Sequence, residues 1–466
     1  MTRATRLACA AAMAIALLAP VHALTLVEAW RAAEQHDAEY LAARAAHDAA
    51  TSHHAQARAL WLPNVEATGT AGRMSSTSDV TGAHFNAPGI ETSNGVAFAT
   101  SVNDGNATSW ALTARQPLWS GERIARRRQL ELSSDAADWQ WIAARQALML
   151  RTVQGYFDVV AAQESLRVLR GQLAAAEEAL ARAEERFRTG DIPVTDSHEA
   201  RARAETVRAE VLAADTQLQI QQASFENLTG IVAADQLLQI PADEFAPDPG
   251  ALATWLERAK QGSPELRQEE AGVEAARLDV ERTSASAAPS LDLIARAGRN
   301  RVWGTGDFGY AANSTGSGLI GVQVTIPLFT GGYRSAQHDE ALGLAQKAQE
   351  DAVRGQQKVA LQTRSAWLGL TVGAQRVAAL EKAHEASVDR LEATRLGVEV
   401  GDRTTLELLN SQADAATAEL GLIQGRLALI QERLRLAALA GELDEDALRL
   451  AGTALQSPDS AVPAPR

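Results

Sequence analysis

The sequence is poor in cysteine and in aromatic residues. Cys9 is the only cysteine in 466 residues, and phenylalanine, tryptophan and tyrosine together make up 5% of the chain. Cys9 lies in an N-terminal apolar segment that we expect to be removed, so the mature chain should form no disulfide and carry out no thiol chemistry. Because aromatic side chains dominate the burial in most cores, their scarcity argues against a large globular core.

Basic residues are also in short supply. The sequence has 44 lysines and arginines against 58 aspartates and glutamates, which gives a net charge of −14. A nucleic-acid-binding protein needs a basic surface to neutralise phosphates. The charge balance therefore argues against nucleic acid as a partner.

The N-terminus has the pattern of a secretory signal peptide. Arg3 and Arg6 precede an apolar run from Leu7 to Leu18, and a small residue, Ala23, follows at a suitable cleavage position. The run is shorter than the roughly 20 apolar residues that a membrane-spanning helix needs. We therefore predict that residues 1–23 are a signal peptide cleaved after Ala23.

Motifs for metal binding, phosphate binding and catalysis do not stand out in the sequence. His53 and His54 have no acidic residue or cysteine at metal-ligand spacing, and exposed helix positions are the better interpretation. Gly331-Gly332 is not followed by the Lys-Ser or Lys-Thr pair of a phosphate-binding loop. We predict no catalytic residue, no metal site and no cofactor, and we do not expect an enzyme.

Two copies of one unit make up the mature sequence. The stretch from Gln116 to Arg123 returns as Ile326 to Arg334, and each copy opens a long helical stretch. Other short motifs recur in the same order: Ala38-Glu39-Tyr40 as Pro264-Glu265-Leu266, Gly190-Asp191 as Gly401-Asp402, and Leu228-Thr229-Gly230 as Leu439-Ala440-Gly441. A repeated order of motifs indicates a repeated architecture.

The repeats define the expected domains. After the signal peptide these are the first repeat at 24–230, a linker at 231–250, the second repeat at 251–441 and a C-terminal tail at 442–466. Each repeat contains a segment rich in Gly, Ser, Thr, Asn and Asp without a helical period, at Met74–Ala107 and at Asn300–Ser317. Such a composition is typical of surface loops, which we predict for both segments.

Apolar and small residues follow one another at spacings of three and four in the helical stretches. In the second repeat this seam consists of Leu406, Leu409, Ala413, Ala416, Leu420, Ile423, Leu427, Ile430, Leu434 and Ala437. The spacing predicts coiled-coil packing, and the two Gly-Asp pairs predict the turns of two helical hairpins. A continuous helix from Glu122 to Thr189 would be about 100 Å long, which favours a tube or rod.

Four short segments bounded by glycine and proline are predicted as strands: Leu62–Thr70, Trp110–Leu118, Leu291–Gly298 and Leu319–Leu328. In the last segment Ile320, Val322, Val324 and Ile326 share one face. Alternating strands of about 9 to 11 residues suit an outer-membrane barrel, but four strands cannot close one. Because lipid does not tolerate an open sheet edge, several chains should contribute strands to a shared barrel.

Together these features resemble the TolC family of outer-membrane efflux and secretion channels. The resemblance rests on the paired strand-to-helix junctions, the paired hairpin tips, the paired helix ends and the signal peptide, and it covers nearly all of the mature chain. It implies a mainly α fold with a membrane β-barrel. Each protomer of a homotrimer would give four strands to a twelve-stranded barrel, and the helices would form a long periplasmic α-barrel.

The resemblance also implies a gate just past the second hairpin tip. Glu407 and Asn410 are three residues apart and share one helical face, and the matching positions of the family carry two acidic rings at the periplasmic entrance. Asn410 departs from the usual aspartate, so Glu407 alone would place three carboxylates near the axis and favour cations. A solvated helix face is the alternative for both residues.

Links between neighbouring helices should hold such a gate closed. The resemblance pairs Arg403 with Thr195, and Asp196 with the position of Val398. The guanidinium of Arg403 and the hydroxyl of Thr195 are a suitable donor and acceptor, whereas the side chain of Val398 cannot form a hydrogen bond. An ordinary surface role is the alternative for each of these residues.

The preferred function is a trimeric exit duct that works with an inner-membrane pump and a periplasmic adaptor. In the family the adaptor docks on the hairpin tips, here Gly190, Asp191, Gly401 and Asp402. Type I protein secretion with an ABC transporter is preferred, because the chain is most similar to the secretion branch, including the channel for a cyclolysin-type toxin. The alternatives are multidrug or metal efflux with a proton-driven pump and, more remotely, a structural coiled-coil protein of the envelope.

Overall fold

The structure, a computed structural model, describes residues 24–232, 240–241 and 249–456. The predicted signal peptide at 1–23 lies outside the described residues, as do parts of the predicted linker and of the C-terminal tail. Among the helices that the structure describes, none is both long enough and apolar enough to cross a membrane.

Helices and strands alternate in the order that the repeats predict. The helices are α1 (Leu26–His36), α2 (Ala38–Ala50), α3 (Ser52–Ala59), α4 (Gly121–Thr189), α5 (Val194–Thr229), α6 (Leu252–Gly262), α7 (Pro264–Ala285), α8 (Tyr333–Glu399), α9 (Thr405–Leu439) and α10 (Glu445–Gly452). The strands are β1 (Asn64–Ala87), β2 (Ile90–Ser120), β3 (Ile240–Pro241), β4 (Ser290–Gly306), β5 (Gly309–Thr325) and β6 (Leu455–Gln456). The long helix predicted up to Thr189 and both helical hairpins, α4–α5 and α8–α9, are confirmed.

The chain divides into two compact units. The sheet unit comprises residues 50–135 and 271–349, and the helical unit comprises the described parts of residues 1–49, 136–270 and 350–466. Each unit draws on both repeats, so that neither repeat forms a unit by itself.

The sheet unit is built around four antiparallel strands in the order β1-β2-β4-β5. One row of side chains across the sheet is Val65, Ala114, Ala295 and Ile320, and we call its side of the sheet the apolar face. Side chains on this face remain open in the single chain, and Val322 is 60% exposed. The alternation predicted for the last strand is confirmed, although the strand ends at Thr325 rather than Leu328.

The opposite side, the polar face, carries hydrogen bonds and charges between strands. Its next row is Glu66, Thr113, Arg296 and Leu319, in which the Arg296 side chain donates a hydrogen bond of 3.3 Å to the Thr113 hydroxyl. Arg115 and Asp292 form an ion pair of 2.6 Å across β2 and β4, with the Asp292 side chain buried. The two faces therefore differ in chemistry as the two sides of a membrane barrel wall do.

The predicted loops at Met74–Ala107 and Asn300–Ser317 are wrong, because both segments continue the strands. β1 and β2 run for 24 and 31 residues and pair to a two-residue turn at Pro88-Gly89, where Gly89 has φ +87°. A type II turn requires a positive φ at this position and favours proline before it. A backbone ladder does not need apolar side chains, so a composition rich in Ser, Thr and Asn did not prevent strand pairing.

The turn of the second β-hairpin packs onto β2. A side chain at Gly306 would lie 1.9 Å from the Ser101 carbonyl oxygen, and one at Gly304 would lie 2.6 Å from the backbone of Gly105. The Asp307 amide donates to the Ser101 hydroxyl at 2.8 Å. Glycine is required here because the two backbones approach too closely for any Cβ atom.

The core of the helical unit forms where the N-terminal and C-terminal helices meet the hairpins. It contains Trp30 of α1, Tyr156 of α4, Phe225 of α5 and Leu448 of α10, all buried. The Tyr156 hydroxyl donates a hydrogen bond of 2.6 Å to the Leu24 carbonyl oxygen, and its ring meets Phe225 edge to face. The start and end of the described chain are thereby held against the hairpins.

Helix α9 buries two seams rather than the single predicted one. The predicted seam is confirmed at Leu409, Leu427, Ile430 and Leu434, which are buried, whereas Leu406 at its start is exposed. The second seam is a heptad row consisting of Ala415, Leu422, Leu429 and Leu436. Its three leucines pack with Ala366, Leu370 and Val377 of α8. A helix with two buried seams has a neighbour on each side.

Replacing Ile430 with alanine should destabilise the helical unit. Ile430 is 0% exposed, so the substitution leaves a cavity that should lower the free energy of unfolding by about 2–5 kcal/mol. Urea unfolding followed by circular dichroism measures the loss. Gln424→Ala, at an exposed position of the same helix, is the control and should change stability by less than about 0.5 kcal/mol. Equal losses would contradict the packing of this seam.

Candidate functional site at the hairpin tips

Both hairpin tips are closed by the same backbone turn. Gly190 and Gly401 have φ +85° and +81°, and the amide that follows each glycine bonds back across the last helical turn. The Asp191 amide donates to the Arg186 carbonyl oxygen at 2.8 Å, and the Asp402 amide donates to that of Gly397 at 2.9 Å. This pairing is the Schellman motif, which needs a residue that tolerates a positive φ. The predicted positions of the two turns are confirmed.

The two hairpins contact each other a few turns from their tips. Ala176 and Ala179 of α4, Ala204 of α5 and Leu409 of α9 form one buried cluster. Alanine at three of these four positions allows the helix backbones to approach closely around the single leucine. Leu409 therefore anchors the start of α9 beside the first hairpin, next to the predicted gate residues Glu407 and Asn410.

Glu407 takes part in a capping box at the start of α9. The Thr404 hydroxyl accepts a hydrogen bond from the Glu407 amide at 3.2 Å, and the Glu407 carboxylate accepts one from the Thr404 amide at 2.8 Å. The arrangement satisfies two amides that a helix N-terminus otherwise leaves without partners. Glu407 is thus a structural residue of the helix start, and its side chain is still 45% exposed.

Arg403 lies over the tip and pairs with the same carboxylate. Its guanidinium donates to Glu407 Oε1 at 3.1 Å. The aliphatic stem of Arg403 rests on Gly397 of α8, where a Cβ atom would lie 2.6 Å from Arg403 Cγ. Gly397 therefore provides the space in which the Arg403 side chain lies. Sequence reasoning missed Gly397 because a glycine within a long helix carries no signal of a contact with the next helix.

Thr195 and Asp196 lie at the start of α5, which is capped less well than α9. The helix follows Pro193, whose side chain makes no capping hydrogen bond. The Thr195 hydroxyl donates to Asp196 Oδ1 at 3.3 Å. Among the hydrogen bonds of the described residues, none joins Arg403 to Thr195, so this link stays a prediction, as does the expectation that the side chain of Val398 forms no link with Asp196.

The environment of Glu407 favours its ionised form. The hydrogen bond from the Thr404 backbone amide, followed by those from Arg403 and from the Thr404 hydroxyl, lowers the pKa of Glu407 below its usual value. Asn410, one turn further along, is exposed. The predicted gate face therefore presents one carboxylate, partly neutralised by Arg403, and one neutral amide.

Several known proteins are similar to this chain. It is 27% identical over 434 residues to the proteases secretion protein PrtF of Dickeya chrysanthemi, a match that covers 92% of this chain and 91% of PrtF. It is also 27% identical over 435 residues to outer membrane protein TolC of Vibrio cholerae, covering 92% and 93% of the two chains. Among solved structures, the Campylobacter jejuni CmeC outer membrane channel matches with a TM-score of 0.72 and 17% identity, covering 92% of this chain and 90% of CmeC. The last match shows a shared fold.

Acid should loosen the start of α9. The pKa of Glu407 is lowered in the folded protein. The ionised carboxylate therefore stabilises the folded protein above the unfolded-state pKa of about 4.3, and this stabilisation is lost as the pH falls through the lowered folded-state pKa. Hydrogen exchange of residues 404–410, normalised to the intrinsic rate at each pH, should therefore accelerate as the pH falls below about 4.3. Glu407→Gln keeps the capping geometry without the charge, and its exchange should not depend on pH there. Parallel pH profiles for the two proteins would contradict the assignment.

The sequence model of one protein family, described as outer membrane efflux protein, matches residues 30–231 and 255–442. The two matched segments each contain one pair of long strands and one helical hairpin, in agreement with the two repeats. The resemblance to TolC channels and the outer-membrane location expected from it are confirmed. The chain belongs to the outer membrane efflux protein family, a family of transport channels rather than of enzymes.

Proposed function

We propose that three copies of this chain form an outer-membrane channel that serves as the exit duct of a tripartite export system. The four-stranded sheet carries the proposal. Within the described residues β1 and β5 each pair with a single neighbour, so both edges of the sheet have unpaired backbone groups. An open edge is not tolerated in lipid, and edge pairing between three copies would close a barrel of twelve strands.

The composition of the sheet supports the same assembly. The apolar face exposes Ile320, Val322 and Val324, as a lipid-facing barrel wall does. The polar face carries the Arg115–Asp292 ion pair, which suits a water-filled lumen. The helical hairpins would then extend into the periplasm. Residues 1–23 serve in this proposal as the signal peptide that directs export.

The proposed partners are a periplasmic adaptor at the hairpin tips and an inner-membrane ABC transporter. Gly190, Asp191, Gly401 and Asp402 form two turns of the same geometry, which would offer a repeated docking surface. Type I protein secretion is the preferred system, because PrtF, which matches along nearly its whole length, is named as a secretion protein for proteases. The alternative is efflux of small molecules, in which the same duct would work with a proton-driven pump in place of the ABC transporter.

Glu407, Asn410 and Arg403 form the proposed gate, with Thr195 and Asp196 on the neighbouring helix. In a trimer three Glu407 carboxylates would meet near the axis, where they favour cations and titrate as a coupled set. Arg403 holds each carboxylate from the side. The gate would open when the proposed link between Arg403 and Thr195 is broken and the second tip moves away from the axis.

A deletion strain would separate the two export systems. Loss of one or more proteins from the culture medium, with unchanged susceptibility to drugs and metals, is the result expected for type I secretion. Complementation with the full-length chain should restore secretion. Increased susceptibility with a normal set of secreted proteins would instead assign the duct to small-molecule efflux.

Val322→Arg should impair assembly of the barrel. Val322 lies on the apolar face, and an arginine there would cost roughly 2–4 kcal/mol near the middle of the membrane. The trimer is measured as a heat-modifiable band from outer-membrane fractions. Gln323→Arg, one residue along the same strand on the polar face, is the matched control and should form trimers at the wild-type level. Equal trimer yields from the two variants would exclude Val322 from a lipid-facing wall.

Arg403→Ser should raise single-channel conductance in planar bilayers. The substitution removes the guanidinium that pairs with Glu407 within the second tip, and with it the proposed link from Arg403 to Thr195 of the neighbouring helix, so the closed tip should be weakened. Gly397→Ala should act in the same direction because it displaces the Arg403 stem, whereas Gly343→Ala, a helical glycine with open space around it, should not.

Glu407→Gln should instead lower cation preference and block by multivalent cations. Wild-type selectivity in Glu407→Gln would remove Glu407 from the constriction.

A further inference from the structure

The apolar face of the sheet becomes polar and charged at a certain distance from the helices. Towards the helices its rows contain Leu112, Leu293 and Val322, whereas further from the helices three successive rows contain arginine, of which Arg73 in the outermost row is paired with Asp104 at 2.8 Å. Arg299 pairs in register with Trp110 of β2, and Arg301 pairs with Thr108 of β2 and Ser314 of β5. Side chains two residues apart on a strand lie on the same face, about 7 Å apart. The two guanidinium groups therefore project side by side from this face.

The level of the two arginines matches the border of a membrane. Strand β4 leaves the helical end of the sheet at Ser290, so Arg299 is its tenth residue and Arg301 its twelfth. A tilted barrel strand crosses the hydrocarbon layer in about 9–11 residues. Trp110 and Trp303 flank the arginines on the same face, and aromatic girdles mark the membrane borders of barrels. If the membrane begins near Ser290 in the proposed barrel, the arginines would lie where the lipid headgroups begin.

A cavity of about 320 Å³ lies at this level. Its lining includes Thr108, Trp110, Arg299, Arg301 and Ser314. The guanidinium of Arg301 lies over the Trp303 ring, 5.3 Å from its centre, which fixes the plane of the group. The cavity thus combines two cations, two hydroxyl groups and an indole ring.

Neither arginine has an acidic partner among the residues that the structure describes, although many arginines of this acidic chain do. On the polar face Arg115 pairs with Asp292, and Arg296 donates to Thr113. Arg299 and Arg301 make no such contact in the described part of the chain. Two unpaired guanidinium groups beside an apolar surface favour an anion that comes with the membrane, because guanidinium groups bind phosphate oxygens in bidentate geometry.

We propose that Arg299 and Arg301 bind the phosphate of a phosphorylated lipid headgroup in the outer leaflet of the outer membrane. Thr108 and Ser314 would donate further hydrogen bonds to the phosphate oxygens, and Trp110 would lie against the first carbons of the acyl chains. The site rests on the proposed function, since it requires the sheet to form part of a membrane barrel. It would fix the depth and orientation of the barrel in the bilayer.

Retention of lipid A by the purified full-length protein tests the site. Detergent-solubilised trimer is titrated with bisphosphorylated lipid A, and bound lipid is counted by native mass spectrometry. Replacing both arginines, Arg299→Gln with Arg301→Gln, should weaken retention about tenfold, as expected for the loss of charge-assisted hydrogen bonds. The matched control is Arg296→Gln, an arginine of the same strand on the polar face, which should retain lipid A as the wild type does.

Three results would overturn the site. Equal retention by the double variant and the wild type would show that the arginines do not bind the lipid. Equal retention of lipid A that lacks its phosphates would show that the site does not recognise the phosphate. Displacement of lipid A by inorganic phosphate at the same concentration would indicate a site for a free anion. If the double variant still forms heat-modifiable trimers with normal bilayer conductance, a change in lipid retention concerns the site alone. Absence of trimers in the wild type would instead indicate that the proposed function is wrong.

Discussion

The backbone hydrogen bonds at the two edges of the sheet are the constraint on which the rest of the structure depends. Each edge presents a row of amide and carbonyl groups on β1 and β5 that no other described strand pairs. Such groups cost several kcal/mol each when they enter hydrocarbon without a partner. In the proposed barrel the apolar face could therefore be buried in lipid only after the edges have found partners, so membrane insertion and association of chains would be one process.

The helical unit has an analogous requirement with side chains in place of backbone groups. Many seam positions are alanine, including Ala176, Ala179 and Ala204 near the tips. Alanine allows close approach but buries little apolar area per contact. A helix such as α9 gains enough burial only by packing on two sides, with Ile430 in one seam and Leu429 in the other. The hairpins are therefore stable as neighbours in a layer rather than as separate rods.

The sequence predicted the architecture well because duplication displays every junction twice. The long helices, the turns at Gly190 and Gly401 and the alternation around Val322 follow from short-range periodicity and from turn chemistry, which are local properties. The errors concern partners that are distant in sequence. Met74–Ala107 has the composition of a loop, yet its backbone pairs within a long hairpin, because the ladder is indifferent to most side chains facing water.

The second tip shows the same limit for local contacts. Resemblance pointed to Glu407 and Arg403 but not to the contact between them, in which the Arg403 guanidinium donates to Glu407; the link from Arg403 to Thr195 stays a prediction. The capping box could have been predicted from Thr404 and Glu407, since Thr-x-x-Glu at a helix start is a recognised signal. The role of Gly397 could not, because it depends on how two antiparallel helices lie against each other at a tip.

The glycine contact between the two β-hairpins bears on how the outer surface of the protein can diversify. Segments at the outer end of a membrane sheet usually accept insertions, because little packs against them. Here the turn around Gly306 packs on the backbone of Ser101, and Gly304 packs on the backbone of Gly105, so a bulkier residue at either glycine would push the two hairpins apart. Lineages should therefore vary the tip of the first hairpin near Pro88, beyond this contact, and leave the seated glycines unchanged.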